Sequence, residues 1–217
     1  MIGNEIRTKL QNIISGALIE EQQDHCTTIR NLLCESFETG PTIKGEFESR
    51  SIIKEKQKSF LKTYSERNGI WLTSLPDGCH YLTKGGESKV YLAADNRNVI
   101  KLNDAVYYAT WTEYFNSLIL HNIFFPATTY KLLGFINVES CFCSMVQQSF
   151  VEGNQASLDD IRELLTFNDF INIKRQDYYN KEFGLLLEDM HDENVIAKED
   201  ALFFIDTVFY LVRKDIE

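Results

Sequence analysis

The spacing of apolar residues changes near residue 70, and this change limits the folds open to the chain. Apolar side chains recur at helical spacing through residues 6–37, and a further helix is predicted over 47–67. After residue 70, short β-branched and aromatic runs alternate with turn residues, which indicates antiparallel strands. We therefore predict an α+β protein, with a helical N-terminal segment over 1–69 followed by a domain with a small antiparallel sheet over 70–217.

The helical segment leaves two points open. The apolar stripes within 6–37 fit either one continuous helix or two helices with a break near Asp24, where Thr27 is a candidate cap. In the helix over 47–67, four lysines including Lys54 are expected on the solvent-facing side, interleaved with glutamates. A partner-binding patch is the less favoured interpretation of these lysines.

Composition excludes several classes of protein. The formal net charge of −10 argues against non-specific nucleic-acid binding, which depends on Lys and Arg neutralising phosphates. No run of about 18 apolar residues is present, so we predict no membrane span. The five cysteines are an odd number and follow no secretory leader, which favours reduced thiols and a cytoplasmic location.

The stretch 184–207 combines an apolar run, a polar loop and a hairpin. Residues 185–187 form an apolar run long enough to be buried, and five acceptor-bearing or ionisable side chains occupy the six positions 189–194. Two short apolar runs, 195–196 and 202–205, then flank a polar turn, which predicts a hairpin. Polar side chains are therefore concentrated where the chain enters and leaves this hairpin.

These polar side chains suggest a metal and proton-transfer site. Asn194 precedes the hairpin and Asp206 follows it, so their oxygens can hold a hard cation such as Mg²⁺. Asp189, five residues before Asn194, is placed to receive a proton or to orient a nucleophile. The alternative is a polar turn whose side chains only satisfy its own backbone.

The pattern D-x-H-x-x-N-V, followed a dozen residues later by I-D, resembles the catalytic and metal-binding loops of the protein kinase-like fold. The likeness is closer to the aminoglycoside phosphotransferase-type branch, and closest to kinase domains in large polyvalent proteins of bacterial mobile elements. It covers about residues 71–209. The resemblance implies ATP- and Mg²⁺-dependent phosphotransfer in a reduced kinase-like domain. Asp189 would orient the acceptor hydroxyl, Asn194 and Asp206 would bind the metal, and His191 would support catalysis.

A second motif over residues 83–101 carries the phosphate-binding features. Gly85 and Gly86 precede a predicted hairpin and let backbone N–H groups approach a phosphate, which Lys101 at the end of that hairpin can also reach. This resembles the kinase Gly-rich loop and third-strand lysine. The resemblance implies that Glu113, on a helix predicted over 104–125, holds Lys101 by an ion pair. The alternatives are an ordinary turn at the glycines and a surface glutamate at 113.

The remaining elements complete the resemblance. Residues 70–73 and 80–83 are predicted as strands, as are 130–135 and 141–147. Residues 148–153 resemble the kinase hinge, which contacts adenine through its backbone. Ser157 is predicted to cap a helix.

The chain also departs from the kinase pattern. Leu187 and Glu188 precede Asp189 in place of His-Arg or His-Gly, Thr207 follows Asp206 in place of Phe-Gly, and eleven residues follow Asp206. We expect either a domain cut from a longer protein or a reduced substrate-binding lobe. The acceptor stays unspecified, as a small molecule or a protein. A catalytically inactive pseudokinase-like module that binds a nucleotide or a protein is one alternative, and a purely structural domain is another.

Overall fold

The computed structural model of the chain describes residues 4–20, 24–37, 47–86 and 88–212. These residues combine helices with antiparallel sheets, so the predicted α+β class is confirmed. Two compact units are present. The five-stranded unit comprises the described residues of 16–115 and 130–150, and the C-terminal unit those of 1–15, 116–129 and 151–217.

Two separate helices, α1 (Asn4–Ser15) and α2 (His25–Ser36), occupy the first stripe region, so the break near Asp24 is confirmed. Asp24 is the cap and Thr27 is its partner. The Asp24 carboxylate accepts hydrogen bonds from Thr27 N at 2.9 Å and from Thr27 Oγ1 at 2.6 Å. An aspartate just before a helix satisfies an N–H group of the first turn that has no partner within the helix.

The predicted helical segment contributes to both units. In the C-terminal unit, α1 buries Leu10 and Ile13, and its Arg7 pairs with Glu182 while lying 5.6 Å from the centre of the Phe183 ring. Helices α2 and α3 (Phe47–Arg67) belong to the five-stranded unit.

The five-stranded sheet has the antiparallel order β1-β2-β3-β5-β4. Its strands are β1 (His80–Lys84), β2 (Ser88–Leu92), β3 (Asn98–Asn103), β4 (Lys131–Val138) and β5 (Cys141–Ser149). Ile100, Leu102, Ile136, Cys143 and Met145 form its buried core. The predicted strands from 80 to 147 are thus present, and β5 continues to Ser149, two residues into the region that resembles a hinge.

Residues 70–73 were predicted as a strand, but they form only an isolated bridge between Trp71 and Phe135. Two backbone bonds join this segment to β4, from Leu72 N to Phe135 O and from Phe135 N to Ile70 O. The close approach needs Gly134, because a Cβ there would lie 2.1 Å from Ile70 O.

Helix α4 (Trp111–Phe124) begins seven residues after the predicted start at residue 104. Asn103 Oδ1 accepts from Ala105 N at 2.6 Å, and Asp104 Oδ1 accepts from Val106 N at 3.0 Å. These side chains offer the backbone turns that compete with a helix, so the helix is delayed.

The C-terminal unit contains α5 (Leu158–Phe167), whose predicted cap is confirmed by the bond from Asp160 N to Ser157 Oγ. Its two sheets have the orders β11-β10-β6 and β12-β9-β8-β7. The strands are β6 (Asn154–Gln155), β7 (Ile171–Lys174), β8 (Asp177–Asn180), β9 (Leu185–Glu188), β10 (Val195–Lys198), β11 (Ala201–Phe204) and β12 (Val208–Leu211). The predicted hairpin is β10–β11, and the apolar run is β9. Stacked rings, including Phe125 on Phe204 with centroids 4.1 Å apart, fill the core.

Two expectations from composition can be compared with the structure. All five cysteines are free thiols, as predicted. No helix in the described part of the chain is long and apolar enough to span a membrane.

Candidate functional site

The polar loop after β9 begins at Asp189, whose backbone has a left-handed φ of 63°. Two bonds hold this conformation, one to the first residue of β8 and one to the turn that precedes it. Asp189 N donates to Asp177 Oδ1 at 3.2 Å, and Met190 N donates to Gln176 O at 2.9 Å. The Met190 side chain is fully buried and anchors the loop to the core. A left-handed backbone conformation at a residue other than glycine persists only where surrounding contacts, such as these, hold it.

The Asp189 carboxylate is 67% exposed and lies beside His191. Its Oδ2 is 3.4 Å from His191 Nε2. Glu193 N donates to His191 Nδ1 at 3.3 Å, and Asn194 Nδ2 lies 3.3 Å from His191 Nε2, so the loop holds both ring nitrogens. Within the described ranges the Asp189 carboxylate accepts no backbone N–H group, unlike a side chain that only stabilises a turn. The carboxylate is therefore accessible from solvent.

Asn194 has a fixed amide orientation. Its Nδ2 donates to Asp189 O at 2.9 Å and lies 3.3 Å from His191 Nε2, so the amide nitrogen faces the loop. The amide oxygen Oδ1 has no hydrogen-bond partner among the residues that the structure describes. This is the atom that a hard cation would take.

Asp206 lies next to Asn194 through the β10–β11 hairpin. Val195 pairs with Phe204, and Ile205 N donates to Asn194 O at 2.9 Å, which brings the backbone of Asp206 beside that of Asn194. No group of three or more His, Cys, Asp or Glu side chains in the described ranges could hold a metal ion alone. One amide and one carboxylate fit Mg²⁺, which takes few protein ligands and completes its shell with water and phosphate oxygens.

The predicted phosphate-binding residues lie in the five-stranded unit. Gly85 and Gly86 form the connection between β1 and β2, where Gly85 N donates to Ser88 O at 2.9 Å. A Cβ at Gly86 would lie 3.2 Å from Tyr107 Oη, so the absence of a side chain permits this approach. Lys101 on β3 is 5% exposed, and its Nζ lies 5.3 Å from the centre of the Tyr130 ring. The same Nζ donates a hydrogen bond to Tyr130 Oη at 3.4 Å, so Tyr130 contacts the lysine through both its hydroxyl and its ring.

Glu113 lies in the first turn of α4 and completes a capping arrangement. Glu113 N donates to Thr110 Oγ1 at 3.1 Å, and Glu113 Oε2 accepts from Ala109 N at 3.0 Å. This T-x-x-E spacing is a helix-start signal that the sequence contained and our prediction overlooked. The ion pair with Lys101 stays a prediction, because the Glu113 carboxylate here bonds to Ala109.

Helix α3 holds the start of α4 through two side chains that the sequence did not single out as functional. Gln57, 1% exposed, accepts from Trp111 N at 2.8 Å and donates to Thr112 Oγ1 at 2.8 Å. Lys54 donates to the carbonyls of Ala105 and Tyr108 at 2.6 and 2.8 Å. The prediction of a solvent-facing Lys54 was therefore wrong, and burial lowers the pKa of its ammonium group.

Glu188 adds a second carboxylate before Asp189, at a position where the kinase pattern has a basic or small residue. Partial burial raises the pKa of Glu188, and the negative charges of Asp177 and Asp189 raise it further. Three carboxylates, those of Asp177, Glu188 and Asp189, thus surround the start of the loop.

One protein-family model, described as a serine/threonine/tyrosine kinase found in polyvalent proteins, matches residues 54–213, which is most of the chain. The chain belongs to this kinase family. The resemblance to polyvalent-protein kinases is confirmed, and the kinase class of phosphotransferase follows from it. The polyvalent-protein kinase match begins at Lys54, inside α3, and so includes Gln57. No curated protein and no solved structure matches the chain significantly.

Proposed function

We propose that this kinase transfers the terminal phosphoryl group of ATP, bound with Mg²⁺, to an acceptor hydroxyl. The observation that carries the proposal is the exposed Asp189 carboxylate, held at a left-handed backbone position beside an asparagine whose amide oxygen has no other hydrogen-bond partner among the described residues. Phosphoryl transfer needs little covalent participation by the protein. Positioning and charge stabilisation provide most of the rate enhancement.

Each residue has a distinct role in this proposal. Asp189 orients the acceptor hydroxyl and receives its proton, while His191 lies beside the carboxylate and supports its position. Asn194 Oδ1 and the Asp206 carboxylate hold the metal. When bound, Mg²⁺ would neutralise charge on the phosphate oxygens.

The five-stranded unit supplies the nucleotide contacts in the same proposal. Lys101 provides a point charge for the phosphates, and the backbone N–H groups near Gly85 and Gly86 approach them. Lys101 is buried, so its charge is screened by water less than that of a surface lysine.

The second candidate function is a pseudokinase-like module that binds a nucleotide or a protein without chemistry. One observation favours it: the Glu113 carboxylate caps its own helix by accepting a hydrogen bond from Ala109 N. In an active protein kinase, an ion pair between this lysine and this glutamate must be in place for phosphoryl transfer. The two candidates differ in turnover and agree in nucleotide binding.

The experiment is a thermal-shift titration with ATP, with and without Mg²⁺, on wild type and Asp206→Asn. A ligand at 100 times its dissociation constant stabilises the folded protein by about 2.7 kcal/mol, which such a titration resolves. We expect a Mg²⁺-dependent shift that Asp206→Asn abolishes. Asp200→Asn, the same change in the exposed turn of that hairpin, is the matched control and should keep the shift.

Two results would count against the proposal. No shift with millimolar ATP would leave a structural domain as the better description. A Mg²⁺-dependent shift without any release of phosphate or labelling of an acceptor from radiolabelled ATP would favour the pseudokinase-like module.

A further inference from the structure

A buried histidine joins α4 to the residue after Asp206. His121 is fully buried, and its Nδ1 lies 2.7 Å from Thr207 Oγ1. On the other side of the ring, Nε2 lies 2.8 Å from Thr128 O. Thr207 stands where the protein kinase pattern has an apolar phenylalanine, so a polar contact takes the place of an apolar one.

The acceptor at Nε2 assigns the protons of this network. A carbonyl oxygen can only accept, so His121 Nε2 carries a proton and donates a hydrogen bond to Thr128 O. In the neutral ring Nδ1 is then an acceptor, and the Thr207 hydroxyl donates to it. The hydrogen bond between Thr207 and His121 therefore has a defined donor, the Thr207 hydroxyl, and a defined acceptor, His121 Nδ1.

The same network holds the chain on both sides of Asp206. Thr128 Oγ1 donates to Phe204 O at 2.6 Å, two residues before Asp206. Asn194 O accepts from Ile205 N, one residue before it, and Thr207 bonds to His121 one residue after it.

A second side chain of α4 acts at the same segment. Ser117 Oγ accepts from Phe209 N at 2.9 Å, and Ser117 lies one helical turn before His121 on the same face of α4. Four contacts thus fix the backbone from Phe204 to Phe209, and two of them come from polar side chains of α4.

We infer that His121 is a positioning residue for metal binding, acting through the Thr207 hydroxyl to hold Asp206 in place. The inference rests on the proposed function, since it gives Asp206 the role of a metal ligand. A purely structural contact between α4 and this segment could be apolar, and burying an imidazole carries a desolvation cost. Residues that orient a metal ligand affect the metal strongly, because their loss typically costs about 10–100-fold in metal affinity.

The test measures the apparent dissociation constant for Mg²⁺ at fixed ATP, by the thermal shift of the full chain. Thr207→Val keeps the side-chain shape and removes the hydroxyl. We expect the Mg²⁺ constant to rise about 10–100-fold while ATP binding without Mg²⁺ is unchanged. Thr207→Ser keeps the hydroxyl and should stay close to wild type.

A matched control separates positioning from general destabilisation. Thr112 is also a buried threonine, and its hydroxyl accepts a hydrogen bond from Gln57 at 2.8 Å. Thr112→Val should lower the melting temperature without changing the Mg²⁺ constant. His121→Gln is a second way to remove the bond to Thr207, since a glutamine side chain can still reach Thr128 O. It should reproduce the effect of Thr207→Val.

The outcomes separate this inference from the proposed function. If wild type shows no Mg²⁺-dependent ATP binding, the proposed function fails, and the role of His121 in metal binding fails with it. If wild type and Asp206→Asn behave as proposed but Thr207→Val keeps the wild-type Mg²⁺ constant, only the inference is overturned. An equal rise in Thr112→Val, or failure of both Thr207→Val and His121→Gln to fold, would assign the network to stability and also overturn it.

Discussion

The backbone N–H of Asp189 donates to the carboxylate of Asp177 at 3.2 Å. This bond ties the first residue of the polar loop to β8, twelve residues earlier in the chain. Because Asp189 has a left-handed backbone, the direction of its side chain depends on this anchor. Asp177 therefore influences the proposed catalytic position without contacting a substrate.

Asp177→Ala removes the anchor and should affect turnover more than nucleotide binding. We expect a loss of about 1 kcal/mol in the free energy of unfolding, the usual contribution of one hydrogen bond. Misplacing a reacting group by about 1 Å can cost about 100-fold in rate, so kcat should fall by up to that factor. Asp177→Asn retains an acceptor oxygen and is the matched control. Wild-type kcat in Asp177→Ala would contradict the positioning role.

Asp189→Asn should preserve ATP binding and abolish phosphoryl transfer. The amide cannot receive the proton of the acceptor hydroxyl, although its shape is nearly the same. We expect turnover to fall by orders of magnitude, measured with radiolabelled ATP, with an unchanged thermal shift. Asp192→Asn, in the same loop, is the control and should remain active. Unchanged turnover in Asp189→Asn would remove the role assigned to this residue.

Gln57→Met should destabilise the fold through the start of α4. Methionine has a similar length but leaves the buried backbone N–H of Trp111 without its acceptor. A buried donor left without a partner costs about 1–3 kcal/mol, which urea unfolding measures directly. Lys56→Met, at the exposed neighbouring position on α3, is the matched control and should be nearly neutral. Equal stability of the two variants would show that the contact contributes little.

Glu188→Gln should stabilise the protein at neutral pH, with a gain that depends on pH. The folded protein raises the pKa of Glu188 above its ordinary value of 4.5, so folding favours the uncharged carboxyl. This contribution is fully present below pH 4.5 and is lost as the pH rises through the raised pKa. The variant should therefore exceed wild type in free energy of unfolding at pH 7, and the difference should shrink as the pH falls.

Urea unfolding of both proteins across this pH range is the measurement for Glu188. Glu193→Gln, at an exposed position in the polar loop, is the matched control for the loss of one negative charge. A difference between Glu188→Gln and wild type that does not vary with pH would rule out a raised pKa for Glu188 in the folded protein.

Local sequence patterns were enough for the α+β class, the hairpins and the family. The β10–β11 hairpin follows from turn residues and β-branched runs only a few positions apart, so Asn194 and Asp206 could be expected near its ends. The break before α2 and the cap of α5 likewise depend on neighbouring residues. Such interactions leave a signal in the sequence because their partners are close along the chain.

Contacts between distant residues left no such signal. Gln57 and Trp111 are 54 positions apart, and His121 and Thr207 are 86 apart. In the sequence, each of these side chains is compatible with a helix face or a strand end, whether or not it has a partner elsewhere in the chain. Which of them becomes a cap or an anchor depends on how helices and strands pack, and packing brings together residues that share no periodic pattern. The candidate residues of the loop could therefore be named from their order in the sequence, and the contacts that hold the loop in place could be identified only in the folded chain.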